Sequence, residues 1–290
     1  MTDKPFHIYE DSVVIHNEDR SFMFDISADL YCIGIADGHG GSSAADTCKR
    51  DIVRILKTHL QLDKEITESI IDTFYELHSL CQTLECKSGC TLTVVVIHKQ
   101  SMEYVCANVG DSLALHITPS SYMWITTSHR LQDNVTEREI LKEHISFIAD
   151  PARNTSIGPP RLFPGGISCS RSIGDADCPF VSCRPSVYHG TLKKDDIICI
   201  ATDGVWDVIS YCKVIKTLRE TSNPGHIIRN IQKKVVQDDA SLILISTQKI
   251  RTTMFDKILF YRTTNSSSNS SISEDEMSLP LVVKVPLTKS

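Results

Sequence analysis

Apolar positions along the chain follow two different spacings. Near the N-terminus three short runs, SVVIH (12–16), SFMFDI (21–26) and LYCIGIA (30–36), have the β-branched and aromatic content of strands. From Ser43 onward the spacing lengthens, and Ala45, Cys48, Ile52, Ile55 and Leu56 fall on one helical face behind a capping box of Ser43 and Asp46. Ile66, Ile70, Ile71, Phe74 and Leu77 repeat that period over residues 63–81. Four strand-like runs come next: CTLTVVVIH (90–98), SMEYVCANV (101–109), SLALHIT (112–118) and MWITT (123–127). Their short connections favour antiparallel pairing. A helix over 135–144 leads into ADPARNTSIGPPRLFPGG (149–166), which is rich in Pro and Gly and has little periodicity. Strands near 186–190 and 196–202, a helix after Trp206, and a helix at NPGHIIRNIQKKVV with Asn223 as cap and Pro224 in its first turn precede a final strand, ASLILIS. Strand blocks separated by helix pairs suit an α+β layered fold better than a strictly alternating βαβ one. Residues 264–290, beginning TNSSSNSSISEDEMS after Thr263, hold too few apolar groups to repay ordering and are expected to form a disordered acidic tail.

Composition adds mainly exclusions. With 290 residues, 41% of them hydrophobic and 23% charged, the chain has ordinary globular proportions. A net charge of −6 gives no electrostatic case for nucleic acid. No run approaches the ~18 apolar residues of a membrane span. The N-terminus has neither a signal-peptide pattern nor, with Thr2, a myristoylation pattern. The expectation is an intracellular, cytoplasmic monomer. Of 11 cysteines, many sit inside apolar runs as small hydrophobes. Cys81, Cys86 and Cys90 have a loosely zinc-like spacing, but no second pair answers them.

Two apolar runs, LYCIGIADGHGG and IICIATDGVWD, both end on Asp-Gly. Such a pair is commonly a tight turn, yet here each is followed by helix rather than by a returning strand. Asp37 and Asp203 are therefore placed at strand ends facing loops, where enzymes collect their chemistry. Glu18 and Asp19 in HNEDR, Asp111 in ANVGDS, Asp207 in TDGVWD, and Asp238 with Asp239 in QDDAS also lie at predicted strand edges. Each alone reads equally well as a turn or helix-end residue. If the edges meet, five or six carboxylates share one cleft, and they cannot all stay ionised without cations. Oxygen donors with no His or Cys partner point to Mg²⁺ or Mn²⁺.

Taken in order, NEDR, ADGHGG, SGCTLTVVVI, ANVGDS, SRSIGD, ATDGVWDVIS and DDASLILI resemble the metal-dependent serine/threonine phosphatases of the protein phosphatase 2C family, over about residues 10–247. The resemblance implies a four-layer α-β-β-α sandwich, two antiparallel sheets flanked by helices, within a catalytic domain of residues 1–263. It implies two Mn²⁺ or Mg²⁺ ions bridged by Asp37, with Asp203 and Asp238 on one and Glu18 and the Gly38 carbonyl on the other. Asp37 and His39 would be catalytic, His39 as general acid for the departing Ser or Thr oxygen. Asp111 and Asp207 match positions of a third, weaker metal, and Asp19 would support Glu18. The substrates implied are phosphorylated proteins, and residues 148–166 fall where relatives carry a variable flap.

One departure bears on activity. The position where many relatives place a phosphate-gripping Arg is Val14, which offers no guanidinium. His16, Arg20, Arg161 or Arg171 are the candidates to replace it. A second departure is Leu113, where relatives have Arg. Val14 favours a binding module with little turnover, whereas the full set Glu18, Asp37, Asp203 and Asp238 favours an active phosphatase. The stretch GHGGSSAAD has the look of a phosphate cradle but lacks both GxxxxGK[ST] and GxGxxG, which argues against a nucleotide site.

Overall fold

The computed structural model describes residues 6–62, 64–84, 87–150, 155–221, 224–232 and 238–247, all within the compact unit Met1–Arg251. The expected tail and its boundary, Asp63, Cys86 and Asn223 lie outside these residues. In chain order the elements are β1 (His7–Val13), β2 (Arg20–Asp25), β3 (Leu30–Ala36), β4 (Gly38–His39), α1 (Ser43–Leu60), α2 (Ile66–Thr83), β5 (Gly89–Cys90), β6 (Leu92–His98) and β7 (Glu103–Val109). There follow β8 (Leu113–Ile117), β9 (Tyr122–Trp124), α3 (Val135–Ile140), β10 (Ile145–Asp150), β11 (Thr155–Leu162), β12 (Ile173–Gly174) and β13 (Ser186–Thr191). The last are β14 (Ile197–Ala201), α4 (Asp203–Trp206), α5 (Tyr211–Thr221), α6 (Pro224–Gln232) and β15 (Ala240–Ser246).

Two five-stranded sheets form the centre, one ordered β1-β15-β14-β8-β9 and the other β13-β7-β6-β3-β2. All their pairings are antiparallel. The strand period of two sorts each side chain to a layer. In β3, Tyr31, Ile33 and Ile35 face the other sheet, where they join Ile198 and Ile200 of β14 and Ile243 and Ile245 of β15. Cys32 and Ala36 face the opposite way, into the core under α1 and α2 with Ile52, Ile55, Phe74 and Leu77. On the far side Cys199, Leu242 and Leu244 pack beneath Val214 and Leu218 of α5 and Ile227 and Ile231 of α6. The layers therefore run helix, sheet, sheet, helix. Strands buried on both faces need no polar side, which is why β3, β6, β14 and β15 read as nearly continuous apolar runs.

Three local expectations are corrected. The first strand ends at Val13 rather than spanning 12–16. Ser42, not Ser43, stands at the cap of α1, and its hydroxyl donates to Asp46 at 2.8 Å instead of accepting from the backbone. The passage over 149–166 belongs largely to a hairpin of β10 and β11, bulged between Ser146 and Ile148. Among the described residues no helix is long and apolar enough to cross a membrane, and every described cysteine except Cys212 is buried, none of them in a disulfide.

Ile243 is fully buried between the sheets. Ile243→Ala should lower stability by about 2–5 kcal/mol through lost transfer energy and the cavity left behind. Urea denaturation measures this, and a change below 1 kcal/mol would mean that the sheets do not meet there.

Candidate active site

Both Asp-Gly pairs mark places where another acidic loop passes at contact distance. Asp37 follows the last residue of β3, its carbonyl accepts from the Thr91 amide at 2.8 Å, and β4 then pairs with β5. A Cβ on Gly38 would lie 2.7 Å from the Glu18 carbonyl oxygen. Asp203 opens α4 just beyond β14, and a Cβ on Gly204 would collide with the Asp239 carbonyl oxygen. Glycine after each aspartate lets the 15–19 loop and the start of β15 close on the two strand ends.

Asp239 ties those loops together. Its Oδ1 accepts backbone N–H bonds from Ile15 at 2.5 Å, His16 at 2.8 Å and Asn17 at 3.2 Å. Its Oδ2 accepts from Glu18 at 2.6 Å and Asp19 at 3.2 Å. Burial alone would raise this carboxyl, but five amide donors outweigh it and hold the pKa at about 2. Because the amides of residues 15–19 turn toward one carboxylate, β1 cannot continue past Val13. Glu18 is fixed further by the Gly41 amide, which donates to its Oε1 at 2.7 Å.

The result is a cavity of about 620 Å³ lined by Glu18, Asp37, Gly38, His39, Asp111, Asp203 and Asp238. Asp207 lines a neighbouring cavity instead. Burial pushes Asp37 well above the ordinary carboxylate range, and the charges of Asp19, Asp203, Asp111 and Asp238 push it further. Asp203 is raised to about 7 by burial and then by Asp111, against an opposing pull from Arg130. Burial likewise lifts Asp19 to about 6 and raises Asp238. Asp19 Oδ1 is buried with no hydrogen-bond partner among the described residues. As the side chains stand, no three His, Cys, Asp or Glu groups among the described residues close tightly enough to hold a metal ion. The carboxylates line the cavity wall.

Arg130 alters the expectation for Asp111 and Asp207. Its Nε donates to Asp111 at 2.8 Å, Nη2 to Asp203 at 2.7 Å and Nη1 to Asp207 at 2.9 Å. The carboxylates expected at a third metal are thus joined, together with Asp203, by a side-chain cation. A rigid planar fork reaches three carboxylates at once, which a lysine could not do.

His39 meets another acid that the sequence reading left out. Its Nε2 lies 2.9 and 3.0 Å from the two carboxylate oxygens of buried Asp175, which also accepts from the Ser172 hydroxyl. Burial would lower the imidazole pKa, but the Asp175 bond and charge overcome this and raise it. Asp175 closes the SRSIGD segment, so its motif was visible while its contact with His39, 136 residues away, was not. Arg130 and Lys87, the latter also lining the cavity, stand in segments that carry no local signal.

Asp239→Asn replaces an acceptor oxygen with an amide nitrogen facing backbone donors. It should cost about 2–4 kcal/mol by urea denaturation. Since the folded pKa lies below the ordinary value of 3.8, the wild-type contribution is complete above about pH 4 and disappears as pH falls toward 2. The two proteins should therefore converge in stability near pH 2, and an unchanged gap would refute the loop-tying role.

Comparisons with known proteins identify the family and the fold. The chain is 28% identical over 252 residues to the probable protein phosphatase 2C 12 of Arabidopsis thaliana, covering 81% of this chain and 58% of that protein. It is 24% identical over 253 residues to the protein phosphatase 2C homolog 2 of Saccharomyces cerevisiae, covering 81% and 50%. The chain thus spans between half and three fifths of these relatives. In fold it is similar to serine-threonine phosphatase 2C from Toxoplasma gondii, with TM-score 0.69, 19% identity and coverage of 84% of this chain and 96% of that one. A C. elegans sex determining protein is similar at TM-score 0.73 and 17% identity, over 84% and 65%. The family model described as protein phosphatase 2C matches residues 9–242, and the chain belongs to that family.

Proposed function

We propose that this chain hydrolyses phosphoserine and phosphothreonine in proteins, using two Mn²⁺ or Mg²⁺ ions that Asp37, Asp203, Asp238, Glu18 and the Gly38 carbonyl would hold. The observation that carries the reading is that all five residues line one cavity in a chain of this family. Their chemistry fits hard cations: every donor is an oxygen, and the buried carboxylates repel one another. When bound, such a pair lowers the pKa of a shared water and offsets phosphate charge.

The chain's own residues supply the rest. Asp175 orients His39 and favours its protonated form, so that the imidazole can hand a proton to the Ser or Thr oxygen as the P–O bond breaks. The phosphate also needs N–H donors, and Val14, 61% exposed, provides none. Among the expected replacements Arg20 is committed to Asp46 and to the carbonyls of Asn17 and Asp19. Arg171 is held by Glu137 and the Arg184 carbonyl. Arg161 and His16 line the cavity. Arg161 uses one terminal nitrogen on the Gly166 carbonyl at 2.6 Å, and its fork has further donors to offer a phosphate. Val14 is also the observation behind the second reading, a phosphatase-shaped binding module with weak turnover.

Purified protein should hydrolyse a phosphothreonine peptide with Mn²⁺ and not with EDTA, and Asp203→Asn should abolish that turnover. Arg161→Ala should raise KM by about tenfold, the worth of one charge-assisted contact, with kcat changed less. Metal binding without turnover in the wild type would instead establish the binding module.

A further inference from the structure

Beside the catalytic cavity, and lined in part by Arg130, lies a second one of about 220 Å³. The two share Asp111 and Asp203 as lining residues. Apart from Asp203, which lines both, nothing in the phosphatase reading uses the second cavity. Three aromatic rings line it: Trp124 of β9, Trp206 of α4 and Tyr211 at the start of α5. Trp124 meets Trp206 edge-on, with centroids 5.2 Å apart and planes at 76°, and meets Tyr211 at 5.8 Å and 67°. Trp206 is fixed in place because its indole N–H donates to the Ala201 carbonyl at 2.8 Å. Trp124 therefore meets both other rings edge-on rather than stacking on them.

The remaining lining holds four aspartates beside Leu113, Ser128, Ser210 and Arg130. Asp133 and Asp207 join Asp111 and Asp203 around the cavity, and Arg130 is the one cation among its lining residues. Arg130 is committed to Asp111, Asp203 and Asp207, whereas Asp133 is exposed. A chamber of aromatic faces with surplus carboxylates attracts a cation through ring quadrupoles and charge together. Its volume is below the roughly 300–1,000 Å³ of small-molecule sites, and suits one long side chain.

We propose that this cavity receives an Arg or Lys side chain of the phosphorylated protein, close in sequence to the phosphoresidue, and so selects substrates with a basic flank. The inference rests on the phosphatase reading for the identity of the ligand. Continuity with the catalytic cavity argues for a residue of the same peptide, and the acidic lining argues against an anionic or apolar one. Asp111 and Asp203 form the wall that both cavities share, and Arg130, bonded to both carboxylates, lines the second cavity.

The chain has two tryptophans, and both line this cavity, so intrinsic fluorescence reports its occupancy directly. The test uses an otherwise uncharged peptide, made non-hydrolysable with a methylene phosphonate in place of phosphothreonine, along which a single Arg is moved position by position. With Mn²⁺ present, one or two positions should bind about tenfold tighter than the same peptide carrying Gln and should change the tryptophan emission. Asp133→Asn and Tyr211→Leu should each remove most of that preference while leaving the Gln peptide's affinity as it was. Equal affinities at every position, or a preference that survives both substitutions, would overturn the proposal. Turnover of the hydrolysable peptides is measured separately. Preference without turnover keeps the cationic subsite and removes the phosphatase reading; turnover without preference does the reverse.

Discussion

The site depends on one carboxylate that faces away from the chemistry. Asp239 gathers the amides of residues 15–19 onto its two oxygens, and in doing so sets where Glu18 and Asp19 stand relative to Asp37. Because its own carbonyl passes directly over Gly204, the same residue fixes the approach of β15 to the start of α4, and hence to Asp203. At this acidic edge the packing of the two sheets is reinforced by charge-assisted bonds, the stronger kind.

That edge is costly without cations. Burial and mutual repulsion raise the pKa values of Asp37, Asp19, Asp203 and Asp238, so these carboxylates are harder to ionise here than in water. Arg130 relieves one flank by joining Asp111, Asp203 and Asp207. Around Asp37 and Asp238 the cavity is lined by oxygen donors suited to divalent metal, with His16, Lys87 and Arg161 at the same cavity. His39, hydrogen-bonded to Asp175, which raises its pKa, lines the same cavity.

Much of this was legible in the sequence, for physical reasons that also mark where legibility stopped. Strands β3, β6, β14 and β15 are buried on both faces, so their apolar runs announced them, and the Asp-Gly ends drew attention to Asp37 and Asp203. The end of β1 was misread because SVVIH has strand-like composition, while the constraint that stops it at Val13 comes from Asp239, over 220 residues away. The β10–β11 hairpin has no apolar alternation for periodicity to detect. Arg130 in TTSHR and the partnership of His39 with Asp175 are tertiary facts: residue type was visible, but which acid each would meet was not. Val14 stood out only against the family pattern, and the elimination of Arg20 and Arg171 as its replacements required knowing their partners.

The central claim is that the acidic edge is maintained for divalent cations, and thermal unfolding across pH tests it most directly. Raised folded-state pKa values mean that the metal-free fold binds more protons than the unfolded chain, so these groups withdraw stability as pH climbs from about 4 to about 7. In EDTA, Tm should therefore fall between about pH 5 and pH 8. Mn²⁺ should raise Tm by more at pH 8 than at pH 5, because it binds the ionised carboxylates and removes their repulsion. A Tm that Mn²⁺ leaves unchanged at both pH values would contradict the account, and the carboxylates would then have to be explained as structure alone.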